Sequence, residues 1–314
     1  MWYQIRPLDI LQDTVAVTPL WRLVDSDPPS AEEMLHYWTK PVPEGGLRCR
    51  LVAADETGRI IGYGGSAHDP WDQAGRWFGR VMVEPEFHRR GIGTSLFERL
   101  VASIRSQGAR VLQSEVRDSD QESMSWATDR GFRIDTHIYE STLDLISFDE
   151  TPFRSAVANA EAAGIRFFSR AEDPSEETAR KVCGLMGRTI PDIPAVHLGR
   201  PTTFDEWRLW ALDETVVPRD CMILAADGDR IVGVTMLEMR DGGALYTGHT
   251  SVDREYRGRK LALALKLLSI RVALRRGAPY MRTHNNALNA PMLAVNRKLG
   301  YRPQPGVYAI EKEL

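Results

Sequence analysis

Cysteine is scarce in this chain of 314 residues. Cys49, Cys183 and Cys221 are the complete set, and no two stand in C-x-x-C spacing. That argues against a disulfide framework and a cysteine zinc site, and suits a reducing compartment. No metal site is expected. A dominant charge is also lacking: 40 Lys+Arg against 43 Asp+Glu leave a formal charge of -3. A chain so balanced has no global electrostatic reason to wrap nucleic acid, so any affinity for phosphate must be local. Long apolar runs are missing as well. The most apolar stretch, residues 261–270, contains Lys266 and is far too short to span a bilayer. The opening residues, Met1-Trp2-Tyr3-Gln4-Ile5-Arg6, show neither the charged nor the apolar part of a secretory signal. A cytoplasmic protein with no membrane partner is expected. Hydrophobic residues at 43% and charged residues at 26% are ordinary globular values, and the length suits two compact units.

What the chain does have is one pattern written twice. Cys49-Arg50-Leu51-Val52-Ala53-Ala54-Asp55 resembles Cys221-Met222-Ile223-Leu224-Ala225-Ala226-Asp227, 172 residues later (221 − 49). Arg59-Ile60-Ile61-Gly62 matches Arg230-Ile231-Val232-Gly233 at 171 (230 − 59), and Val83-Glu84-Pro85-Glu86-Phe87 matches Val252-Asp253-Arg254-Glu255-Tyr256 at 169 (252 − 83). Gly131-Phe132 and Gly300-Tyr301 keep 169 without a gap (300 − 131). The offset shrinks only at turn-like stretches: Glu56-Thr57-Gly58 against Gly228-Asp229, then the loop near residues 69–75 against Asp241-Gly242-Gly243. Length changes confined to loops are what a duplicated fold tolerates.

Within each copy the periodicity alternates. Strands are expected around residues 51–53 and 60–63, with a third at 77–83 or 245–252. A helix follows from about 91 to 107, with Leu96, Leu100, Val101 and Ile104 at helical spacing; its counterpart carries Leu261, Leu265, Leu268 and Val272 and ends at Gly277. A further strand (111–116; 280–284) and a short helix lead to the Gly-aromatic pair. Helical segments open each copy near 31–35 and 178–186. The fold class is therefore mixed α/β, with domains at 1–147 and 164–314 and a connecting segment at 148–163.

The junction between the third strand and the long helix carries the chemistry. In copy one, Met82-Val83 runs through His88-Arg89-Arg90 into Gly91-Ile92-Gly93-Thr94. A helix start offers unpaired N–H groups and the positive end of the helix dipole, which suit a phosphate. Two glycines clear Cβ atoms from the approach, Arg89 and Arg90 neutralise a polyanion, and Thr94 adds a hydroxyl. A capped helix with two solvated arginines fits that segment about equally well. The spacing matches neither a P-loop nor a dinucleotide fingerprint.

Residues 83–93 resemble motif A of the GCN5-related N-acetyltransferase (GNAT) superfamily, [Arg/Gln]-x-x-Gly-x-[Gly/Ala]. Ser251-Val252 followed by Arg257-Gly258-Arg259-Lys260-Leu261-Ala262 is similar to a second copy, and Asn285, Asn289, Met292 and Asn296 before Gly300-Tyr301 resemble a motif B region. The resemblance implies two tandem GNAT-like domains, each a twisted mixed sheet flanked by helices, with acetyl-CoA between splayed central strands. It places cofactor contacts at Met82, Val83, His88, Arg89, Arg90, Gly91, Ile92, Gly93, Thr94, Ser251, Val252, Arg257, Gly258, Arg259, Lys260, Leu261, Ala262 and Asn289. Copy one is the favoured cofactor site, copy two a rival. Both depart from the pattern: His88 replaces Arg or Gln, Asp118 and Asp120 stand where asparagine is expected, and Lys260 replaces the first glycine.

The implied reaction is direct acetyl transfer to a primary amine of a small molecule or peptide through a tetrahedral intermediate. It needs an unprotonated amine, hence a base, and N–H groups near residue 82 or 251 for the oxyanion. Candidate catalytic residues are His249, whose ordinary titration range suits proton abstraction, and the matching pair Glu115 and His284 (284 − 115 = 169). The family's acid tyrosine is replaced by Ala127 and Asn296, a tolerable loss for a thiol leaving group. His68, Asp69, Trp71, Asp72 and Trp77 are candidate walls for an acceptor pocket, or simply surface-loop chemistry; Met281 and Met292 are expected in the core. Two alternatives remain: a non-catalytic acyl-CoA-binding or structural tandem GNAT, and an aminoacyl or longer-acyl transferase. A monomer with an internal pseudo-dimer, or a homodimer, is expected.

Overall fold

The computed structural model describes residues 2–25, 28–240 and 243–314. Asp241 and Gly242, two of the three residues of the shorter loop in the second copy, lie outside the described residues. The elements run β1 (Tyr3–Pro7), α1 (Ile10–Val17), α2 (Ala31–Thr39), β2 (Leu47–Asp55), β3 (Ile60–His68), β4 (Arg76–Val83), α3 (Ile92–Arg105), β5 (Val111–Arg117), α4 (Gln121–Thr128) and β6 (Arg133–Asp144). They continue with α5 (Arg154–Ala162), β7 (Ile165–Ser169), α6 (Glu176–Thr189), α7 (Phe204–Ala211), β8 (Met222–Asp227), β9 (Arg230–Met239), β10 (Leu245–Val252), α8 (Leu261–Arg275), β11 (Tyr280–Asn286), α9 (Ala290–Leu299) and β12 (Arg302–Glu313).

The chain forms two compact units that are not contiguous in sequence. One holds Met1–His137, Leu198–Arg200 and Val307–Leu314; the other holds Ile138–His197 and Pro201–Gly306. The N-terminal unit orders its strands β1-β2-β3-β4-β5-β12 and the C-terminal unit β6-β11-β10-β9-β8-β7. In each, antiparallel pairing is interrupted once, where β4 meets β5 and β10 meets β11 in parallel. One strand segment of each unit comes from the far end of the other repeat: residues 307–313 pair with β5, and residues 138–144 pair with β11. The 169-residue periodicity contains no information on which sheet a terminal strand joins.

The strands of each unit are covered on two faces, so they read as apolar runs. In the N-terminal unit Ala53 and Ile61 face Ile92 and Leu96 of α3, while their neighbours Val52 and Ile60 face Val17, Met34 and Trp38 of α1 and α2. In the C-terminal unit Ile223 and Val232 pack with α8, and Leu224 and Val234 with α6 and the fully buried Trp207 of α7. Each fully buried aliphatic side chain contributes roughly 1.5–3 kcal/mol. Local signals fix the ends: Ser30 and Glu33 form a capping box on α2, as do Thr203 and Glu206 on α7. Met281 is in the core as expected, fully buried, whereas Met292 is only half-buried.

Candidate active site

The parallel contact at the centre of each sheet is short, and the strands then part. Arg76–Phe78 of β4 pair with Val111–Gln113 of β5, and no further rung is formed. β10 likewise meets β11 only at Leu245 and Tyr246. In the N-terminal unit the parted strands open a cleft of about 600 Å³. Residues 79–83 form one wall and residues 114–117 the other. Phe97, Leu100, Leu112, Phe132 and Ile310 make an apolar floor, and the mouth reaches Gly91, Gly93 and Thr94 at the start of α3.

That helix start is bare. Gly91 is the N-cap, left-handed at φ +81°, and no side chain caps the first turn. A Cβ placed on Gly91 would meet only the Tyr3 hydroxyl at 3.9 Å, and one on Gly93 only Val83 at 3.6 Å. The amides of the first turn therefore face open space, which fits a pyrophosphate group. Arg130, two residues past the end of α4, donates to the Thr94 hydroxyl at 2.7 Å and lies 3.9 Å over the Trp126 ring. Arg89 bridges from the loop to Glu122 on α4 at 2.8 Å.

The expected cofactor residues fall out as follows. Met82, Val83, His88, Arg89, Gly91, Ile92, Gly93 and Thr94 all line the cleft. Arg90 is not among its lining residues; its guanidinium donates to the Glu86 carbonyl at 2.9 Å and stacks over Phe87. Its role is to brace the loop. His88 hydrogen-bonds the Val83 carbonyl at 2.9 Å, and its counterpart Arg257 donates to the Val252 carbonyl at 3.2 Å. The two side chains do the same work, which explains why histidine is accepted there.

The C-terminal corner is built alike and occupied differently. Arg259 donates to the Glu255 carbonyl and stacks over Tyr256, as Arg90 does over Phe87. Arg230 pairs with Asp253 and Glu255, as Arg59 does with Glu84 and Glu86. Each loop contains two left-handed residues, Arg89 and Gly91 in one, Gly258 and Lys260 in the other. Lys260 thus takes the glycine's backbone shape at φ +63°. Asp192 sets the corner apart: its carboxylate accepts from Arg257 at 2.6 Å and from Nε and Nη2 of Arg254. Those arginines hold its carboxyl well below the usual range. The cation of the motif already has an internal anion. Leu261 is a core residue and Ala262 packs beside that core. Asn289 caps α9 through the Met292 amide at 3.4 Å, as Asp120 caps α4 through the Ser123 amide at 2.9 Å. Asp118 pairs with His137.

The candidate bases are not brought together. Glu115 lines the N-terminal cleft and is held by Arg80 at 3.0 Å. His249 hydrogen-bonds Ser251 at 3.0 Å, and Ser251 bonds Thr189 at 3.0 Å. Burial pushes the His249 imidazole down to about 4, so it is a far weaker base than its ordinary range suggested. His284 contacts the Tyr246 hydroxyl at 3.2 Å and Glu140 at 3.6 Å. Trp77 is core, His68 stacks on it, and Asp69 pairs with Arg48; none of them lines the cleft. Sequence reading missed Arg130 and Trp126, since Arg130 meets Thr94 across 36 residues and only the following Gly131 marks the place.

This chain belongs to the acetyltransferase (GNAT) family, whose model matches it twice, at residues 17–132 and 190–301. It is a tandem member, and enzymes of this family transfer acyl groups and typically use an acyl-CoA. Its fold is similar to a tandem GNAT protein from the clavulanic acid biosynthesis pathway, at 21% identity and TM-score 0.77 over 99% of this chain and 98% of that one. A GCN5-related N-acetyltransferase from Sphaerobacter thermophilus is similar at 21% identity and TM-score 0.70, over 99% and 95% of the two chains. A glucosamine N-acetyltransferase region of a fungal multi-domain GH3 β-N-acetylglucosaminidase is similar at 15% identity and TM-score 0.75, over 99% and 38%. No protein of curated function matches the chain. Among the described residues no helix is long and apolar enough to cross a membrane, and no acidic, histidine or cysteine cluster suits a metal ion.

Proposed function

We propose that the protein is an acetyl-CoA-dependent N-acetyltransferase of a primary amine, with the N-terminal unit as the working half. The observation that carries this reading is the cleft between β4 and β5, which ends on the uncapped amides of residues 92–94. Acetyl-CoA would supply an acetyl thioester, an electrophile ready for an amine. In this reading the first-turn amides, Thr94, Arg89 and Arg130 hold the two phosphates, and the apolar floor takes the pantetheine arm. Backbone N–H at Met82 or Val83 stabilises the charge that develops on the carbonyl oxygen. Glu115 accepts the amine's proton, directly or through water. Residues 1–147 and 164–314 are the two duplicated repeats, in a cytoplasmic setting, and Asp192 marks the C-terminal corner as the half that has lost its cofactor.

Calorimetric titration with acetyl-CoA tests this. The expected stoichiometry is one per chain. Gly93→Glu, which sets a carboxylate against the amides, should weaken binding by at least about a hundredfold, while Ala262→Glu at the matching position leaves it within about threefold. Loss in the Ala262 variant alone would move the site to the other half. Binding without any amine-dependent release of the free thiol would favour the non-catalytic reading, for which the absence of a tyrosine at Ala127 speaks.

A further inference from the structure

On β2 of the N-terminal unit, Arg50 carries a guanidinium that no described carboxylate neutralises. β2, β3 and β4 put Arg50, Gly65 and Arg80 in register as direct cross-strand neighbours. Their face is that of Val52, Tyr63 and Met82, which pack under α1 and α2. Arg80 has Glu115 at 3.0 Å and Arg48 has Asp69 at 2.5 Å. Arg50 has no carboxylate partner among the described residues. It is half-buried, lies 4.9 Å over the Trp38 ring, and loses proton affinity through burial.

The gap between the two arginines is not empty of polar groups. Tyr63 is buried, and its side chain folds along its own strand so that the phenol lies over Gly65. A Cβ on Gly65 would stand 2.1 Å from the hydroxyl oxygen. Only glycine allows this. The hydroxyl thus occupies the centre of the row Arg50–Gly65–Arg80, where both cations act on it. Two guanidinium groups flanking a phenol hydroxyl, with one carboxylate between them, leave an excess positive charge in a desolvated place. A fork of donors of this kind matches a carboxylate or a phosphate. Arg80 also lines the cofactor cleft, two residues before Met82 on the same strand, which is about 7 Å along β4.

We propose that the acceptor amine carries an oxyanion, a carboxylate or a phosphate, which Arg50 receives together with Arg80 and the Tyr63 hydroxyl. The inference rests on the acetyltransferase reading of the same cleft. It adds that the acceptor is an amino acid or an aminoalkyl phosphate rather than a simple or polycationic amine.

The test is acetyl transfer by the full chain to paired acceptors: the α-amino acids against their carboxamides, and aminoalkyl phosphates against the corresponding amino alcohols. The two pairings tell a carboxylate from a phosphate. Expected is a preference of at least about thirtyfold in kcat/KM for the anionic member of one pair. That preference should fall to about threefold or less in Arg50→Gln while the dissociation constant of acetyl-CoA, measured separately, stays within twofold. Tyr63→Phe keeps the shape of the core and removes only the hydroxyl; it should lower the same preference severalfold, so the test does not depend on how well Arg50→Gln folds. Equal use of neutral and anionic acceptors, an undiminished preference in both variants, or bound acetyl-CoA with no anionic acceptor turned over would each overturn the inference and leave the cofactor assignment standing. Failure of acetyl-CoA to bind at all would instead remove the reading beneath it.

Discussion

The two strand-to-helix corners share a scaffold and differ in contents. Each has a loop arginine or histidine tied to the last carbonyl of the preceding strand, an aromatic residue held between two guanidinium groups, and two left-handed residues before the helix. The N-terminal corner leaves its amides and Thr94 facing a cleft. The C-terminal corner gives its arginines to Asp192. Deeper in, Phe97 lines the N-terminal cleft, while its equivalent Lys266 (266 − 97 = 169) is fully buried with its ammonium 4.7 Å from the Tyr301 ring. The two copies share the elements that position the loop and differ in the residues that fill the corner and the space behind it. Scaffold and function are therefore separable in this molecule.

The largest expected effect concerns Lys266. Burial pushes its amine down to about 7 from an ordinary 10.5. Between those values the unfolded chain binds the proton that the folded chain releases, so stability rises with pH across the window from about 7 to 10.5. Below it the full penalty applies, on the order of 3–5 kcal/mol. Lys266→Met, close in volume and free of charge, should stabilise the protein by a few kcal/mol at pH 6 and flatten that rise. Denaturant unfolding at pH 6, 8 and 10 measures both, and a wild type equally stable across the three would contradict the assignment. Phe97→Lys, at a half-buried position that lines the open cleft, should introduce a smaller penalty and a shallower pH slope in the other unit.

How far the sequence disclosed this contrast depends on the range of the interaction. The corner itself was legible: Val83 to Gly93 is contiguous, the 169-residue offset runs unbroken to Gly131, and β10 and the start of α8 fall at the positions expected from alternation and helical spacing. The substitution of His88 for arginine was visible, though its equivalence with Arg257 needed the shared carbonyl contact. The contents of the corners were not legible. Asp192 meets Arg257 across 65 residues, and nothing local distinguishes it from any other acid after a proline. The row Arg50–Gly65–Arg80 depends on the register of three strands and on a Tyr63 rotamer that a string of letters does not encode. Burial, which turns His249 into a weak base, is likewise set by packing from both faces of the sheet. The provenance of β6 and β12 was invisible because antiparallel pairing demands no sequence motif.

Asp192 allows the comparison to be broken from the other side. The ion pairs hold its carboxyl below the usual range, so they contribute above pH about 4 and are lost as pH falls through the lower folded value. Asp192→Asn should cost about 1 kcal/mol at neutral pH, since both arginines are largely exposed. In return it frees two cations at an uncapped helix start. Calorimetry with inorganic pyrophosphate should then reveal a second, weaker site that the wild type lacks. If the stoichiometry stays at one, the carboxylate is not what silences that corner.

The smallest effect isolates backbone from charge. Gly91 and Lys260 hold the same left-handed conformation, which costs a non-glycine residue about 1–2 kcal/mol. Lys260→Gly relieves that cost but restores about 0.5–1 kcal/mol of chain entropy to the unfolded state. The net expectation is a stabilisation of about 0.5 kcal/mol. Gly91→Lys, the reverse exchange, should destabilise by a similar amount. It also places an ammonium beside the proposed phosphate site, so acetyl-CoA affinity discriminates between two accounts of Lys260. Retained or improved affinity means the lysine is compatible with cofactor binding and Asp192 alone accounts for the difference between the corners. A loss of tenfold or more means the long side chain obstructs the amides, and the lysine alone is enough to close the C-terminal corner.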